Sequence, residues 1–346
     1  MLMKSEDIAR LCGVSRSTVS RVINNYPNVP QETREKVLAA IEKYNYQPHI
    51  SARVLAGKGT NTIGLFVIST ADTLNKNRIF QNSFFSPFIN AVVDYANSRE
   101  YYVLVHTIYE KKDYNKIKEV FLQKRVDGCI ILGTENETEI INEIQVKGLP
   151  ISIIDYDEEN AEKNTKYKLN IVNSMDYEGS KEALRYLISL GHKKIGIITG
   201  RMNTFSGRQR YKAYRETLLE NSLQIDERFV LNGKFLKHIA YREVEKLIEN
   251  KVLPSAIFAC NDDMAIAAME AFHNSGISVP QDISIIGFDD IPFASMTKPP
   301  LTTVAIPIYE MAQKAVEGII DLEEGNYKLV NRIPTNLKIR GTCREY

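Results

Sequence analysis

Residues 5–24 read SEDIARLCGVSRSTVSRVIN, and two short helices follow from them. Ser5 is placed to cap the first, with Glu6 and Asp7 where negative charge suits a helix N-terminus. Ile8, Leu11 and Cys12 fall on one face, and Gly13 supplies the stop. Ser15 is then the expected cap of a second helix whose inward stripe is Val19, Val22 and Ile23. Its outward face carries Arg16, Ser17, Thr18, Ser20 and Arg21. Two short helices joined by a tight turn containing glycine form a helix-turn-helix, and the second is sized for a major groove. Its outward residues are donors to base edges and phosphates. An ordinary helical hairpin has the same spacing, so the rest of the chain must decide.

Outside this stretch the totals exclude several classes. A chain of 346 residues is too long for one small core, and two or three domains are expected. Hydrophobic content of 44% with 25% charged residues belongs to a soluble globular protein. No apolar run reaches the roughly 18 residues of a membrane span, and the start is polar rather than signal-like, so a cytoplasmic protein with no membrane contact is expected. Cys12, Cys129, Cys260 and Cys343 are scattered without a CxxC pair, which indicates neither a metal site nor a disulfide framework. The net charge of +1 hides an asymmetry: residues 1–60 hold nine Lys/Arg against five Asp/Glu, a net of +4, leaving −3 for the remainder. A basic head on a slightly acidic body suits a protein that touches nucleic acid with one end.

The segment QETREKVLAAIEKY (31–44) places Val37, Ala40, Ile41 and Tyr44 on one helical face, a third helix to cover the first two. Asn24, Asn25 and Asn28 lie in the loop between, suited either to phosphate oxygens or to turn chemistry. Pro48 interrupts the third helix, and Ile50 to Ala56 is a short run of helix formers before Gly57 and Gly59. So short a helix is unstable alone. The segment 48–60 therefore reads as a linker that orders when DNA and a dimer mate hold it.

From residue 61 strands alternate with helices. Strands are expected at 62–68, 102–107, 127–133, 149–155, 193–199, 255–261 and 282–289, with helices near 86–99, 112–124, 137–147, 176–190, 206–221, 238–251 and 262–275. This is the pattern of doubly wound parallel sheets, in two series and hence two lobes. Ligands of such sheets sit beyond the C-terminal strand ends. Those ends carry Asp155, Asn261, Asp262, Asp289 and Asp290, with Arg208 and Arg210 at the start of the helix after strand 193–199. Phe84, Phe85, Ser86, Pro87 and Phe88 open the helix after the first strand. Carboxylates, an amide and a guanidinium hold hydroxyls while aromatic faces pack on a ring, which is the chemistry of a sugar site. Asp262, Asp263 and Asp290 read instead as helix caps or loop anchors.

DIARLCGVSRSTVSRVIN, VPQETREKVLAAIEKYNYQP and SARVLAGKGTNTIG together resemble the N-terminal region of the lactose/galactose repressor (LacI/GalR) family of bacterial transcriptional regulators, and the resemblance extends over essentially the whole chain. It implies a helix-turn-helix domain at 1–47, a hinge helix at 48–60, and an effector-binding and dimerisation body at 61–346 of the periplasmic-binding-protein type. The body's lobes would span about 61–168 with 305–333, and 169–304 with 334–346. It implies that Leu55, in the motif Ala52–Arg53–Val54–Leu55, wedges into a minor-groove base step; His49 stands where the family usually has Asn. By the same resemblance Arg16, Ser17 and Arg21 read bases, and Ser15, Thr18, Ser20 and Asn24 hold phosphates. Arg210 matches the effector-clamping arginine, Asn261 and Asp289 match the ACND and GFDD segments, and Asp155 and Ser86 match effector-contact positions. The expected partners are double-stranded operator DNA, a small sugar-like effector and a second copy of the chain, with no cofactor. The loop ADTLNKNRIFQNSFFSP (71–87) is longer than the family's, and Arg78 or Phe80 reaching the ligand from it is one reading, a surface insertion the other.

An enzyme is the competing class. No GxGxxG follows the first strand, and neither GxxxxGK[ST] nor GxSxG occurs. His192, in SLGHKKI, sits before a strand, away from the expected cleft. A body answering to a phosphocarrier protein is a third possibility, and no basic patch on the first lobe singles it out. The hinge reading makes a prediction: Leu55→Ala weakens specific operator binding far more than non-specific binding in titrations with operator and random duplexes, because the wedge contributes only where DNA kinks. Equal losses on both would contradict it.

Overall fold

The computed structural model describes residues 3–46, 59–69, 79, 82–133, 148–159, 168–323 and 328–346. His49, Leu55, Arg78, Phe80 and the helix expected at 137–147 lie outside the described residues. Three helices form the head: α1 (Ser5–Cys12), α2 (Arg16–Ile23) and α3 (Gln31–Lys43). Gly13 ends α1 with φ of 66°, a left-handed stop that glycine adopts without strain. Ser15 caps α2, its Oγ accepting the Thr18 N–H at 3.1 Å. Ile8, Ala9, Cys12, Val19, Val22, Val29, Val37 and Tyr46 make the core of this unit.

Three expectations for the head change. Ser5 is the first residue of α1 and not its cap; the cap position is Lys4, whose N–H donates to Asp7 Oδ2 at 2.9 Å. Leu11 is 51% exposed and Ala9 takes its buried place. Tyr44 is 41% exposed, and Tyr46, three residues beyond α3, closes the core instead. Each is a displacement of one or two residues in where a short helix starts or ends, which rotates the buried face.

Among the described residues the body is two six-stranded sheets. The first runs, by residue range, 328–333, 169–174, 151–154, 128–132, 62–68, 102–108 and the second 336–338, 302–305, 284–289, 256–259, 195–199, 230–232, all parallel except 336–338 against 302–305. Lobe 1 holds β1 (Thr62–Ile68), α4 (Phe85–Ser98), β2 (Tyr102–Ile108), α5 (Asn115–Leu122), β3 (Gly128–Leu132), β4 (Ile151–Ile154) and β5 (Leu169–Ser174). The chain then enters lobe 2 for α6 (Asp176–Ser189), β6 (Ile195–Thr199), α7 (Phe205–Glu220), β7 (Val230–Asn232), α8 (Lys237–Glu249), β8 (Ala256–Ala259), α9 (Asp262–Asn274), β9 (Ser284–Asp289) and β10 (Thr302–Ala305). It returns for α10 (Ile308–Glu323) and β11 (Lys328–Ile333), and leaves again for β12 (Asn336–Lys338). Each lobe thus has the 2-1-3-4-5 strand order of doubly wound folds, and the strand ends of both meet where the chain crosses. No helix among the described residues is long and apolar enough to cross a membrane.

The strand 169–174 corrects the division of lobes: placed in lobe 2 by the sequence reading, it pairs with β4 and β11 in lobe 1. Asn170 and Asn173 interrupt its apolar run, which is why LNIVNS does not read as a buried strand. In the fold these amides are satisfied. Asn170 Nδ2 donates to Ser152 Oγ at 2.9 Å and to the Lys314 carbonyl at 3.0 Å, and its Oδ1 accepts from Asn331 Nδ2 at 2.8 Å. Ser152 Oγ donates to the Ala315 carbonyl at 2.7 Å. This buried network sets α10 on the sheet face beside β4 and β5. Asn170→Ala strands several of these groups, and each buried polar group left without a partner costs about 1–3 kcal/mol. Urea unfolding should show a loss in that range, whereas a loss below about 0.5 kcal/mol, the level of an ordinary surface change, would contradict the network's role.

Candidate functional site

Between the lobes lies a cleft with about 710 Å³ of unfilled space, its solvent-open mouth included, within the size range of small-molecule sites. Lobe 1 contributes Phe84 and Phe85 at the start of α4, Leu132 and Gly133 at the end of β3, Asp155 just past β4 and Ser174 at the end of β5. Lobe 2 contributes Arg201, Thr204, Ser206 and Arg210 from the β6–α7 turn and α7, Phe235, Asn261 and Asp289. Every wall residue named here lies at the C-terminal end of a strand, in the segment after it, or in the first two turns of the next helix, as the strand-end rule requires.

Of the residues the sequence pointed to, Phe84, Asp155, Arg210, Asn261 and Asp289 come together in the cleft wall. Ser86 and Pro87 do not; they lie one and two residues inside α4, while Asn82 and Phe85 take the wall. Asn82 organises this corner, its Oδ1 accepting the Phe84 and Phe85 N–H groups at 3.0 and 2.8 Å. Asp262 is committed elsewhere, to the Thr303 hydroxyl at 2.5 Å and the Ile291 N–H at 2.9 Å. Asp290 pairs with Arg340 at 2.6 Å. Arg201, Thr204, Ser206 and Phe235 are additions. Arg201 follows strand 195–199 and was open to the same rule, but Phe235 follows a three-residue strand too short to read.

Arg210 is 4% exposed, so its charge must be met inside the protein. Its Nε and Nη2 both reach Asp176 Oδ1 at 2.7 Å, Nη1 stands 3.4 Å from Asp289 Oδ1, and Nη1 also donates to the Cys260 carbonyl. The guanidinium lies over the Phe288 ring, 3.7 Å from its centroid. Burial opposes its charge, but Asp176 and Asp289 outweigh that and raise its pKa. Burial also pushes the Asp289 carboxyl well above its ordinary value, with Arg210 only partly countering.

Asp155 joins the lobes. Its Oδ1 accepts the Ser206 N–H at 2.6 Å and its Oδ2 the Ser206 hydroxyl at 2.7 Å. It thus sits at the N-terminus of a helix belonging to the other lobe, where backbone donors and the helix dipole favour an anion. The turn into α7 is tight: a Cβ on Gly207 would meet the Arg201 carbonyl at 2.0 Å. Two further contacts cross the cleft, Arg208 to Asp157 at 2.9 Å and Ser83 Oγ to Asp263 Oδ1 at 2.9 Å. Burial, and then the nearby Asp176 charge, push the Asp155 carboxyl up to about 6 despite the Ser206 bonds.

A carboxyl whose pKa is raised on folding binds protons more tightly in the folded state, so its ionisation opposes folding. That opposition is absent below its unfolded value and complete above about 6. Wild type should therefore lose thermal stability relative to Asp155→Asn as pH rises from 5 to 8. A melting-temperature difference between the two that is constant over this range would contradict the assignment.

Along α2 and its two caps, Ser15, Arg16, Ser17, Ser20 and Arg21 are exposed, with Thr18 and Asn24 half-buried. Ser15 Oγ is shared among Ser17 Oγ, Thr18 Oγ1 and the Thr18 N–H, and Asn24 Nδ2 donates to Ser20 Oγ at 3.3 Å. Arg16 has a weak exposed contact to Glu6 at 3.4 Å, which contributes little. Asn25 is a turn residue, at φ of 56° and held by Arg34 Nη1 at 2.7 Å.

Residues 5–49 match the LacI family of bacterial regulatory proteins, and residues 184–343 match a periplasmic binding protein-like domain. The chain is 33% identical over 344 residues, 98% of each protein, to the probable HTH-type transcriptional repressor ExuR of Bacillus subtilis strain 168. Among solved structures it is similar to a lac repressor dimer bound to operator and the anti-inducer ONPF, with TM-score 0.81 and 26% identity over 99% of this chain and 100% of that one. A complex of the transcriptional regulator CelR with cellobiose gives TM-score 0.72 and 26% identity over 98% and 99%. With a helix-turn-helix head and a two-lobed binding body over nearly its full length, the chain belongs to the LacI family of bacterial regulators, which bind DNA and are not enzymes.

Proposed function

We propose that the chain is a dimeric repressor whose affinity for operator DNA is set by a small sugar-like molecule held between the lobes. One head reads one half-site, so a two-fold operator engages two copies. Arg16, Ser17 and Arg21 face the bases, Ser15, Thr18, Ser20 and Asn24 the phosphates, and Leu55 the central minor-groove step. The protein works in the cytoplasm and sits on the nucleoid when bound.

The observation that carries the effector reading is the composition of the cleft wall. Asp155, Asn261, Asp289 and Arg210 offer acceptors and donors to hydroxyls, and Phe84, Phe85 and Phe235 offer flat apolar faces. This suits a ring with a polar rim and an apolar face. The similar CelR structure is a cellobiose complex, which supports the same class. Asp155 and Ser206 bond across the lobes, so a ligand hydroxyl that takes either group alters the balance between closed and open forms. A ligand shifts that balance only by its difference in affinity for the two.

A thermal-shift panel of mono- and disaccharides, with phosphosugars and nucleobases as comparators, tests this. At least one sugar should stabilise the wild-type chain, and Arg210→Lys, which keeps the buried charge but loses the forked contacts, should shrink that shift. Stabilisation by nucleobases alone, or by no small molecule, would replace the sugar reading with another ligand or a phosphocarrier protein. A shift unchanged in Arg210→Lys would remove this residue from the binding wall.

A further inference from the structure

Asp176 is not part of the cleft wall, yet it is buried to 2% exposure beside the guanidinium that is. It is the first residue of α6, where the chain first passes from lobe 1 to lobe 2. Its Oδ1 holds Arg210 by two nitrogens at 2.7 Å, and its Oδ2 accepts the hydroxyl of Ser174, the last residue of β5, at 2.9 Å. Met175, between them, donates its N–H to the Ile333 carbonyl at 2.8 Å and accepts the Thr335 hydroxyl at 3.3 Å, both at the third crossing. Arg210 also stands beside Asp289, whose backbone carbonyl accepts the Ile306 N–H at 3.3 Å within the second crossing. One buried cation therefore gathers all three crossings, two through carboxylates and the third through the neighbour of one of them.

The two carboxylate contacts differ. The pair with Asp176 is close and doubled; the contact with Asp289 is longer and faces the cleft, where a hydroxyl can compete for it. We propose that Asp176 is a positioning residue that pins the hinge. It fixes Arg210 to the crossings, so that a molecule engaging Arg210 and Asp289 acts on the angle between the lobes. This rests on the reading of the cleft as the effector site. Truncating the side chain would leave a void as well as an unpaired charge, so the informative variant keeps shape and one acceptor, with Asp289 still beside the guanidinium. Asp176→Asn does this.

Asp176 also lies in the first turn of α6, where any negative charge favours the helix. Glu178 shares that turn and is exposed, so Glu178→Gln is the control. The experiment is hydrogen–deuterium exchange of the full chain at neutral pH with no sugar present. In Asp176→Asn the amides of Met175 and Ile306 should exchange at least about tenfold faster, while β3 and β8 keep wild-type rates, as expected of a local opening. Glu178→Gln should leave the crossings unchanged. Should Asp176→Asn fail to fold, Arg210→Lys, which keeps the charge and loses the forked contact, should show the same confined acceleration. Unchanged exchange at the crossings, or equal acceleration through the lobe-2 sheet, would overturn the proposal. With no sugar in the sample, failure here is separate from failure of the sugar reading, which the panel reports.

Discussion

The body is built around a cation that water barely reaches. An arginine side chain taken from solvent needs carboxylates and carbonyls at close range, or the charge cannot be held. Here those groups are Asp176, Asp289 and the Cys260 carbonyl, and each lies at or just beyond a strand end or at the start of a helix. Meeting the charge therefore places the end of β9, the residue after β8 and the start of α6 around one point. Such pairs are often no more stabilising than a well-packed apolar cluster. What this one supplies is geometry, because an apolar cluster would hold no hydroxyl and would leave the crossings untied.

The second constraint is between lobes. Asp155 on one lobe completes the helix N-terminus of the other, and Arg208–Asp157 and Ser83–Asp263 flank it. These contacts are few, polar and placed around the cleft, unlike the apolar cores of the two sheets. A ligand with hydroxyl groups offers the same bonding. The fold thus joins two sheets through three crossings and polar bonds around the cleft.

Much of this was legible in the chain. Strands such as TIGLFVI and GCIIL are continuous apolar runs, buried on both faces as parallel strands are, and their positions and helical partners follow directly. Strand ends then led to Asp155, Asn261 and Asp289, and the helix after β6 to Arg210. The unreadable part has physical reasons. Strand 169–174 carries Asn170, whose amide bonds α10 and β11 more than 140 residues away as well as Ser152 on β4, so its burial depends on contacts no local pattern shows. Strand 328–333 alternates at a sheet edge, and 230–232 is only three residues long. Ser206 entered the site through Asp155 of the other lobe, and Asp176 through Arg210; neither stands in a motif. Ser86 and Pro87 gave way to Phe85 and Asn82 because helix α4 starts at Phe85, and one residue of phase decides which side chains face the cleft.

The head and the body meet in function only if the cleft is felt at the DNA. The most direct measurement is fluorescence anisotropy of a labelled duplex from the protein's own upstream region, titrated with the full chain in the presence and absence of the stabilising sugar, at fixed salt because phosphate contacts make affinity salt-dependent. A sugar that changes operator affinity by the roughly 5–150-fold typical of coupled sites, with no matching change on random duplex, is the predicted result. A sugar that binds the body while operator affinity stays the same would contradict the account.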